Sequence, residues 1–460
     1  MLQIFILAGL GVLAMTSEIF NFRKAMPYLA IVGVMASIAM SVIQWGESRT
    51  WFNHMMVDDN YGQAFIMVSS FILLLWMMAF RGIFNKESTI ADYLALVCFA
   101  TVGGFMMVSF TNLVMLFLGI EILSIPVYVL AGSNRSSLKS NEAAFKYFLM
   151  GAFASGFLLF GMAFIYGATG SFDTTQIATY IQSHGDDMPY FFGLGVLLVI
   201  FALSFKISAV PFHYWAPDVY EGAPTSITAF MATMVKVFAA AATFRFFQEI
   251  FGGPSDYSSG LVVLCVCTMV IGNILGAVQD NPKRVLAYSS IGHAGFMLMA
   301  IFVGGQQGAK ALLYYTVAYS AASLLSFVVL SKVVKEDDFY QSIGDFNGLA
   351  KRNGLLAFAM TVALLSMAGI PPLSGFFAKY FIFSAAYNAG HYLLVIAAIV
   401  ASLIGVYYYF KFIIGIYGRD ADDDMSAEIE LTASEQVIIV ALMIIIVAMG
   451  LMPDLVMEWL

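Results

Sequence analysis

Charged residues are scarce in this chain of 460 residues. Asp, Glu, Lys and Arg together make up 11% of it, whereas a soluble globular protein carries roughly 25%. That is too few to coat a water-exposed surface, so a soluble fold is excluded. Hydrophobic residues instead make up 61%, and the mean hydropathy is +0.87. At roughly 20 apolar residues per crossing, the composition indicates an all-α, polytopic membrane protein.

Cysteines and basic residues are also few. The three cysteines, Cys98, Cys265 and Cys267, lie inside apolar runs and support no disulfide framework, closed zinc site or iron–sulfur cluster. A net charge of −8 leaves no basic surface for nucleic acid. No glycine-rich nucleotide loop is present, and no loop is long enough for a soluble domain. We therefore expect nucleotide and redox chemistry to belong to other polypeptides.

The apolar runs predict the number of membrane crossings. Fourteen runs reach the length of a span: 2–20, 25–44, 62–80, 91–109, 111–132, 141–168, 189–220, 224–249, 259–278, 283–303, 308–334, 354–388, 391–418 and 433–451. The seventh and twelfth are over-long and contain prolines near the middle. Because proline removes an N–H and clashes with the preceding turn, we expect helices 7 and 12 to be broken.

The basic residues in the loops and at the ends of the runs predict the orientation. Thirteen of them follow odd-numbered runs, and only Arg49, Arg245 and Lys310 lie on the other side. The positive-inside rule then places the odd loops in the cytoplasm and both termini on the outer side. The first basic residues, Arg23 and Lys24, follow the first run instead of preceding it, which is the reverse of a cleaved signal. The 419–432 loop is acidic and is expected to be a solvated face.

Seven ionisable side chains lie well within the runs: Glu121, Lys146, Lys206, Lys236, His293, Lys379 and Lys411. A charge at the bilayer centre costs about 2.5–3.5 kcal/mol, so such residues face the bundle interior and usually mark an ion path. Lys206 and Lys379 each lie on a predicted broken helix, where freed carbonyls and half-helix ends hold water or ions. A lysine in that setting is suited to a proton relay. Lys146 and Lys411 lie nearer the ends of their runs, where a snorkelling, structural role competes.

The spacing of these residues predicts an internal repeat. It is 172 residues from Glu121 to His293, 173 from Lys206 to Lys379 and 175 from Lys236 to Lys411. Each step crosses five runs, an odd number, so the second copy is inverted in the membrane. The expected organisation is an N-terminal three-helix segment (1–90), a first repeat forming a proton half-channel (91–249), an inverted repeat (259–418), and an acidic loop with a final helix (419–460).

Several long stretches resemble the antiporter-like membrane subunits of respiratory complex I. They are LFLGIEILSIPVYVLAG (116–132), AAFKYFLMGAFASGFLLFGMAFIYGATGSF (143–172), FKISAVPFHYWAPDVYEGAPTSITAFMATMVK (205–236), NPKRVLAYSSIGHAGFML (281–298) and LLSMAGIPPLSGFFAKYFIF (364–383). The resemblance covers roughly residues 90–415. Within the family the chain is most similar to the N-type subunit, because of the PDVYEGAP stretch, its short C-terminus and Lys379, where the M-type sibling usually carries glutamate.

The resemblance implies a proton-translocating subunit of an NADH–quinone oxidoreductase in the bacterial inner membrane. Its partners would be neighbouring antiporter-like and small helical subunits and membrane lipid. NAD, FMN, iron–sulfur clusters and quinone are expected on partner subunits, with no cofactor or metal on this chain. The implied relay consists of Glu121 as the fifth-helix carboxylate, Lys146 as the lysine paired with it, Lys206 on helix 7, Lys236 and His293 on the central axis, and Lys379 at the exit.

Two other functions fit the same sequence. One is a subunit of a multisubunit Na⁺/H⁺ antiporter or of a membrane-bound hydrogenase, which share these helices and differ in their partner proteins. The other is a scaffold whose buried charges only fix helix packing. Five lysines with one obvious carboxylate partner leave much unpaired positive charge for a passive structure. A scaffold would also remain fully active when Lys379 is replaced by Met.

Overall fold

The computed structural model describes residues 1–82, 89–253, 258–334, 341–420 and 428–459. Over these ranges the chain is almost entirely helical. The helices are α1 (Leu2–Ser17), α2 (Met26–Ile43), α3 (Asn60–Ala79), α4 (Ile90–Ser109), α5 (Leu113–Ala131), α6 (Leu138–Thr169), α7 (Thr174–His184), α8 (Tyr190–Ile207), α9 (Trp215–Gly222), α10 (Thr225–Phe230), α11 (Lys236–Phe251), α12 (Ser258–Ala277), α13 (Pro282–Val303), α14 (Gly305–Val333), α15 (Leu349–Arg352), α16 (Gly354–Ala368), α17 (Ser374–Asn388), α18 (Tyr392–Gly418), α19 (Ala433–Leu451) and α20 (Asp454–Met457).

Twelve helical segments in the described ranges are long and apolar enough to cross a membrane. The bundle also contains two shorter apolar helices, α1 and α16. The predicted all-α, polytopic fold is therefore confirmed. The total of fourteen crossings, the division into segments and the inverted repeats stay predictions.

Polar residues at the helix starts explain where several helices begin. The side chains of Asn112, Asn281 and Asn353 accept hydrogen bonds from the first-turn amides of α5, α13 and α16. Thr432 and Glu435 form a reciprocal capping box at the start of α19. Because first-turn amides have no partner within the helix, these caps fix the residues at which the helices begin.

Two connections contain structure that the sequence did not predict. Strands β1 (Arg49–Trp51) and β2 (Met56–Asp58) form an antiparallel hairpin between α2 and α3. The short helix α7 lies between α6 and α8, and the Asp173 side chain caps it. Both elements pair backbone groups with one another, through the strand ladder and the helical hydrogen bonds. The all-α class holds for the bundle, with the hairpin as an exception.

The first over-long run is broken as predicted. Helix α8 ends at Ile207, and Ser208 adopts a left-handed conformation with φ of 62°. The chain then passes Pro211 and resumes helical structure at Trp215. Thr225–Phe251 forms the next span and contains a π-helical turn just before Lys236.

The second over-long run is broken in the same way. Helix α16 ends at Ala368, and Gly369 takes a left-handed φ of 87°. After Pro371 and Pro372 the chain continues as α17. In both cases the break leaves backbone carbonyls in the interior without their usual intrahelical donors.

The centre of the bundle is formed by the 225–251 span, α13 and α14, whose residues are nearly all buried. Helices α2, α6, α18 and α19 are mostly exposed and carry large apolar side chains outward. The outer surface is therefore suited to lipid or to other hydrophobic subunits.

A buried ion pair joins the N-terminal segment to the first predicted repeat. The Arg245 side chain is only 1% exposed. The sequence predicted it as one of three basic residues on the outer side. Its guanidinium lies 2.6 Å from Asp59 and 3.4 Å from Glu249. It also lies 5.0 Å from the ring centre of Tyr61. The pair connects α11 to the start of α3.

Some residues used for the sequence predictions fall outside the described part of the chain. They are Lys86, Lys335, Asp422, Asp423 and Asp424. The predicted orientation and the solvated acidic loop therefore stay predictions.

Replacing Arg245 by Met is expected to destabilise the folded chain by about 2–4 kcal/mol, because Asp59 and Glu249 lose the cation that they face. Thermal unfolding of the detergent-solubilised protein measures this. The matched control is Arg49→Met, which removes an exposed pair with Glu47 and is expected to cost less than about 0.5 kcal/mol. Equal effects of the two substitutions would contradict the structural role assigned to Arg245.

Candidate functional site

Lys206 lies immediately before the first helix break and is 3% exposed. Its ammonium donates a hydrogen bond to the Ser124 hydroxyl on α5 at 2.6 Å. It also lies 5.9 Å from the ring centre of Tyr147. A buried ammonium held mainly by a neutral hydroxyl and an aromatic face is costly to keep charged. Such an environment suits a group that exchanges its proton.

Glu121 lies beside Lys206 without a direct ion pair. The carboxylate is half-buried and accepts a hydrogen bond from Ser155 on α6. It is within electrostatic reach of Lys206. Ser124 and Ser155 both line a cavity of about 10 Å³ next to Lys206, which is about the size that holds one water molecule. The two charged groups are therefore connected through hydroxyls and a water-sized space.

The predicted pairing of Glu121 with Lys146 is wrong in this structure. The Lys146 ammonium contacts Glu142 and Asp218, each at 2.7 Å, and its side chain is 41% exposed. Glu121 instead contacts Ser155, nine residues further along α6. Nine helical residues rise about 13 Å, so the two groups occupy different depths.

The contacts of Lys146 belong to a charged network that sequence reasoning missed. Asp218 also binds Arg284 at 2.8 Å, and Glu221 binds Arg284 at 3.1 Å and Lys139 at 2.9 Å. We call Lys139, Lys146, Asp218, Glu221 and Arg284 the surface network. A surface cavity of about 110 Å³ is lined by Lys139, Lys146, Asp218 and Glu221. The sequence did contain a signal for this network. Asp218 and Glu221 lie three residues apart in the PDVYEGAP stretch and therefore on one face of a helix.

Two stacked aromatic rings separate the surface network from Lys206. Tyr147, next to Lys146 in sequence, stacks on Trp215 with centroids 4.4 Å apart and an angle of 7°. The Trp215 indole donates to the Phe205 carbonyl at 3.0 Å, which fixes the ring against the end of α8. Among the described residues, the buried Tyr147 hydroxyl has no hydrogen-bond partner, so it is available to bound water.

Lys236 reaches the same break from the neighbouring span. Lys236 is only 2% exposed. Its ammonium donates a hydrogen bond to the Ile207 carbonyl at 2.8 Å. That carbonyl belongs to the last residue of α8. The π-helical turn that ends at Val235 is a feature frequently found at functional sites. Lys236 therefore satisfies a carbonyl that the break has freed.

His293 lies buried on α13, within the second predicted repeat. Its Nδ1 lies 2.6 Å from the Tyr315 hydroxyl and its Nε2 3.2 Å from the Tyr409 hydroxyl. Tyr409 in turn bonds Ser289, one turn earlier on α13. Nothing in the sequence distinguishes these tyrosines among the 23 in the chain, so this chain of hydroxyls was missed. His293 is also within electrostatic reach of Lys236 and Lys379.

Lys379 satisfies a carbonyl at the second break. Its ammonium donates to the Ala368 carbonyl at 2.8 Å and to the Ser402 hydroxyl at 2.7 Å. A Cβ added at Gly369 would lie 2.9 Å from the Lys379 Cδ. Glycine therefore permits both the left-handed turn and the approach of the lysine stem. Phe296, one turn after His293 on α13, lies 5.3 Å from the ammonium.

The structure thus brings Lys206, Lys236, His293 and Lys379 into the buried interior, with Glu121 beside the first of them. Lys146 lies apart, in the surface network. Lys411 is half-exposed on α18, and among the described contacts it has no hydrogen bond to the other six residues. Lys206 precedes its break, whereas Lys379 follows its own. Both breaks combine a left-handed residue with a following proline. The two lysines, however, lie on opposite sides of their breaks in the chain.

Known proteins resemble the chain over nearly its whole length. Residues 110–405 match the family described as NADH:quinone oxidoreductase/Mrp antiporter, transmembrane. The NADH-quinone oxidoreductase subunit N of Flavobacterium johnsoniae is 42% identical, over 98% of each chain. A chain of respiratory complex I from Thermus thermophilus superposes with a TM-score of 0.86 at 31% identity, covering 99% of this chain and 98% of that one. The Mrp complex of Dietzia shares the fold, with a TM-score of 0.84 at 23% identity over 99% of this chain and 94% of that one.

The geometry predicts an order of reactivity toward a water-soluble amine reagent. Lys351, whose side chain is 76% exposed, is expected to react fastest, and Lys146 more slowly because two carboxylates hold it. Lys206, Lys236 and Lys379 are expected to stay essentially unmodified in the folded protein. Peptide mass spectrometry after brief labelling measures all five lysines in one sample, and denatured protein is the control. Labelling of Lys206 at the rate of Lys146 would contradict the buried placement.

Proposed function

The chain belongs to the NADH:quinone oxidoreductase/Mrp antiporter membrane family, and from this membership we propose that it is a proton-translocating subunit of an NADH–quinone oxidoreductase. The observation that carries the proposal is the line of buried cations with two lysines bonded to the carbonyls of broken helices. Buried ionisable groups in a membrane are costly and usually functional. Helix breaks near the midplane are typical of transport sites.

The relatives favour a respiratory complex as the assembly to which the chain belongs. The subunit N proteins that align over almost the full chain are 41–42% identical, whereas the Mrp chain is 23% identical. This difference favours a respiratory complex over a sodium/proton antiporter. The neighbours would be other membrane subunits of the complex, in a bacterial membrane. NAD, FMN, iron–sulfur clusters and quinone would be bound by partner subunits, and this chain would carry no redox step.

Proton uptake is proposed to begin at the surface network. With the odd loops in the cytoplasm, the ends of α6, α9 and α13 that form it face the cytoplasm. Its carboxylates and ammonium groups line an open cavity and can collect protons from water. Water beside the Tyr147 hydroxyl would carry a proton past the stacked rings to Lys206. Glu121 would adjust the proton affinity of Lys206 through its charge.

Transfer across the subunit would then follow the buried axis. The order is Lys206, Lys236, His293 and Lys379, with hydroxyl groups and water between them, and release is to the outer side. Lys236 and Lys379 each have a carbonyl to hold their protonated form. His293, between two hydroxyls, can accept a proton on one nitrogen and give one from the other.

The energy required is within reach of changes in local electrostatics. Moving one charge against 100 mV costs about 2.3 kcal/mol, and one pKa unit corresponds to about 1.4 kcal/mol. A change of less than about two pKa units along the relay therefore suffices for one step. Quinone reduction elsewhere in the complex would supply it.

Lys206→Ala is expected to lower NADH-driven proton pumping by at least about tenfold, since a positioned proton-transfer group typically contributes 10²–10⁴. Glu121→Gln is expected to have a smaller effect, because Glu121 acts through its charge. Pumping per NADH in proteoliposomes of the intact complex measures both. Lys411→Ala is the matched control, a membrane lysine away from the axis, and should pump normally. Wild-type stoichiometry in both relay variants would refute the proposal.

The surface network predicts a pH-dependent defect. Asp218→Asn removes a proton-collecting carboxylate, which matters most when protons are scarce. We expect turnover close to wild type at about pH 6 and roughly threefold or more below it at about pH 8.5. Asp420→Asn removes an exposed carboxylate paired with Lys351 and is expected to leave the pH profile unchanged. A defect of equal size at both pH values would assign Asp218 a purely structural role.

A further inference from the structure

A further cavity lies on the outer surface of the bundle. It is a groove of about 530 Å³ between α2 and α19, both of which pack against α3. None of the six relay residues lines it. Its volume falls in the range of small-molecule sites, and it opens where α2 and α19 expose apolar side chains.

Two cations mark one end of this groove. Lys24 precedes α2 and Arg81 follows α3, so both lie at the same membrane surface as the start of α19. The Arg81 guanidinium donates to the Tyr28 hydroxyl at 3.1 Å and lies 5.9 Å from that ring's centre. This contact orients the guanidinium at the mouth, where its remaining donors can meet a phosphate.

The deeper part of the groove is apolar. Ile31 of α2, Met77 of α3, and Val437 and Ile438 of α19 line it. Val437 is 63% exposed, although its surroundings are hydrophobic. A molecule that fits therefore has an anionic head at the membrane surface and a hydrocarbon body directed toward the bilayer centre.

We propose that this groove binds an anionic phospholipid, with its phosphate between Lys24 and Arg81 and an acyl chain along α3. Basic pockets between membrane helices are known to select anionic head groups. A zwitterionic lipid would bring its ammonium group toward two cations. Glu435, the first-turn acid of α19, pairs with Lys332, so its charge is already matched. The site is independent of the relay and of the proposed proton transfer.

Native mass spectrometry of the full-length chain in mild detergent tests the proposal. The probes are phosphatidylglycerol and phosphatidylethanolamine with identical acyl chains. The wild-type chain is expected to retain phosphatidylglycerol preferentially. The double variant Lys24→Gln/Arg81→Gln should lose this retention on the order of 20-fold, because each cation near the surface contributes about fivefold.

The matched control is Arg135→Gln/Arg419→Gln, which removes the same charge from exposed positions predicted on the same membrane face. It should retain phosphatidylglycerol within about twofold of wild type. A second variant, Val437→Trp, fills the apolar part with both cations intact and should also lose the lipid. Thermal unfolding of all variants separates loss of binding from loss of fold.

Three results of the lipid-binding experiment would overturn the proposal. They are equal retention of the two lipids by the wild-type chain, equal losses in the two double variants, and retention of phosphatidylglycerol by folded Val437→Trp. In the intact complex, efficient crosslinking of Val437→Cys to a partner subunit would also overturn it, since a protein helix would then occupy the groove.

Discussion

The structure depends on one constraint, the need to hold positive charge inside an apolar bundle. An ammonium buried without a partner is too costly to persist. The fold supplies the partners by breaking two helices, so that the carbonyls of Ile207 and Ala368 meet Lys236 and Lys379. Two defects in regular structure and two buried charges therefore satisfy one another. The central spans pack tightly around these contacts, while the outer helices remain free to meet lipid.

Much of the fold was predictable because membrane helices follow simple rules. The apolar runs correspond to helices, and the prolines at 211, 371 and 372 mark where two of them break. The buried placement of Lys206, Lys236, His293 and Lys379 was also predictable, since few ionisable residues occur in such runs and each is expensive. The hairpin Arg49–Asp58 and α7 were not foreseen, because short polar connections carry no hydrophobic period.

The contacts within the site were less predictable. Lys146 and Glu121 lie on adjacent helices, and only the axial offset between those helices shows that they cannot meet. Asp218 was overlooked because it lies outside the apolar core of its run, and its partners come from α6 and α13. The tyrosines around His293 were hidden by composition, since 23 tyrosines make any one of them unremarkable. Depth and rotation about the helix axis, which decide these contacts, are set by packing.

The second break has a consequence for inheritance. The backbone turn at residue 369 and the stem of the lysine ten residues later share one space, in which a Cβ would come within 2.9 Å of the stem. A mutation of the glycine codon would therefore displace the ammonium from its carbonyl although the lysine codon is untouched. Substitutions at these two positions are therefore expected to depend on one another. A lineage that replaces the lysine by a shorter side chain also removes the steric reason for glycine at 369, although the left-handed turn still favours it.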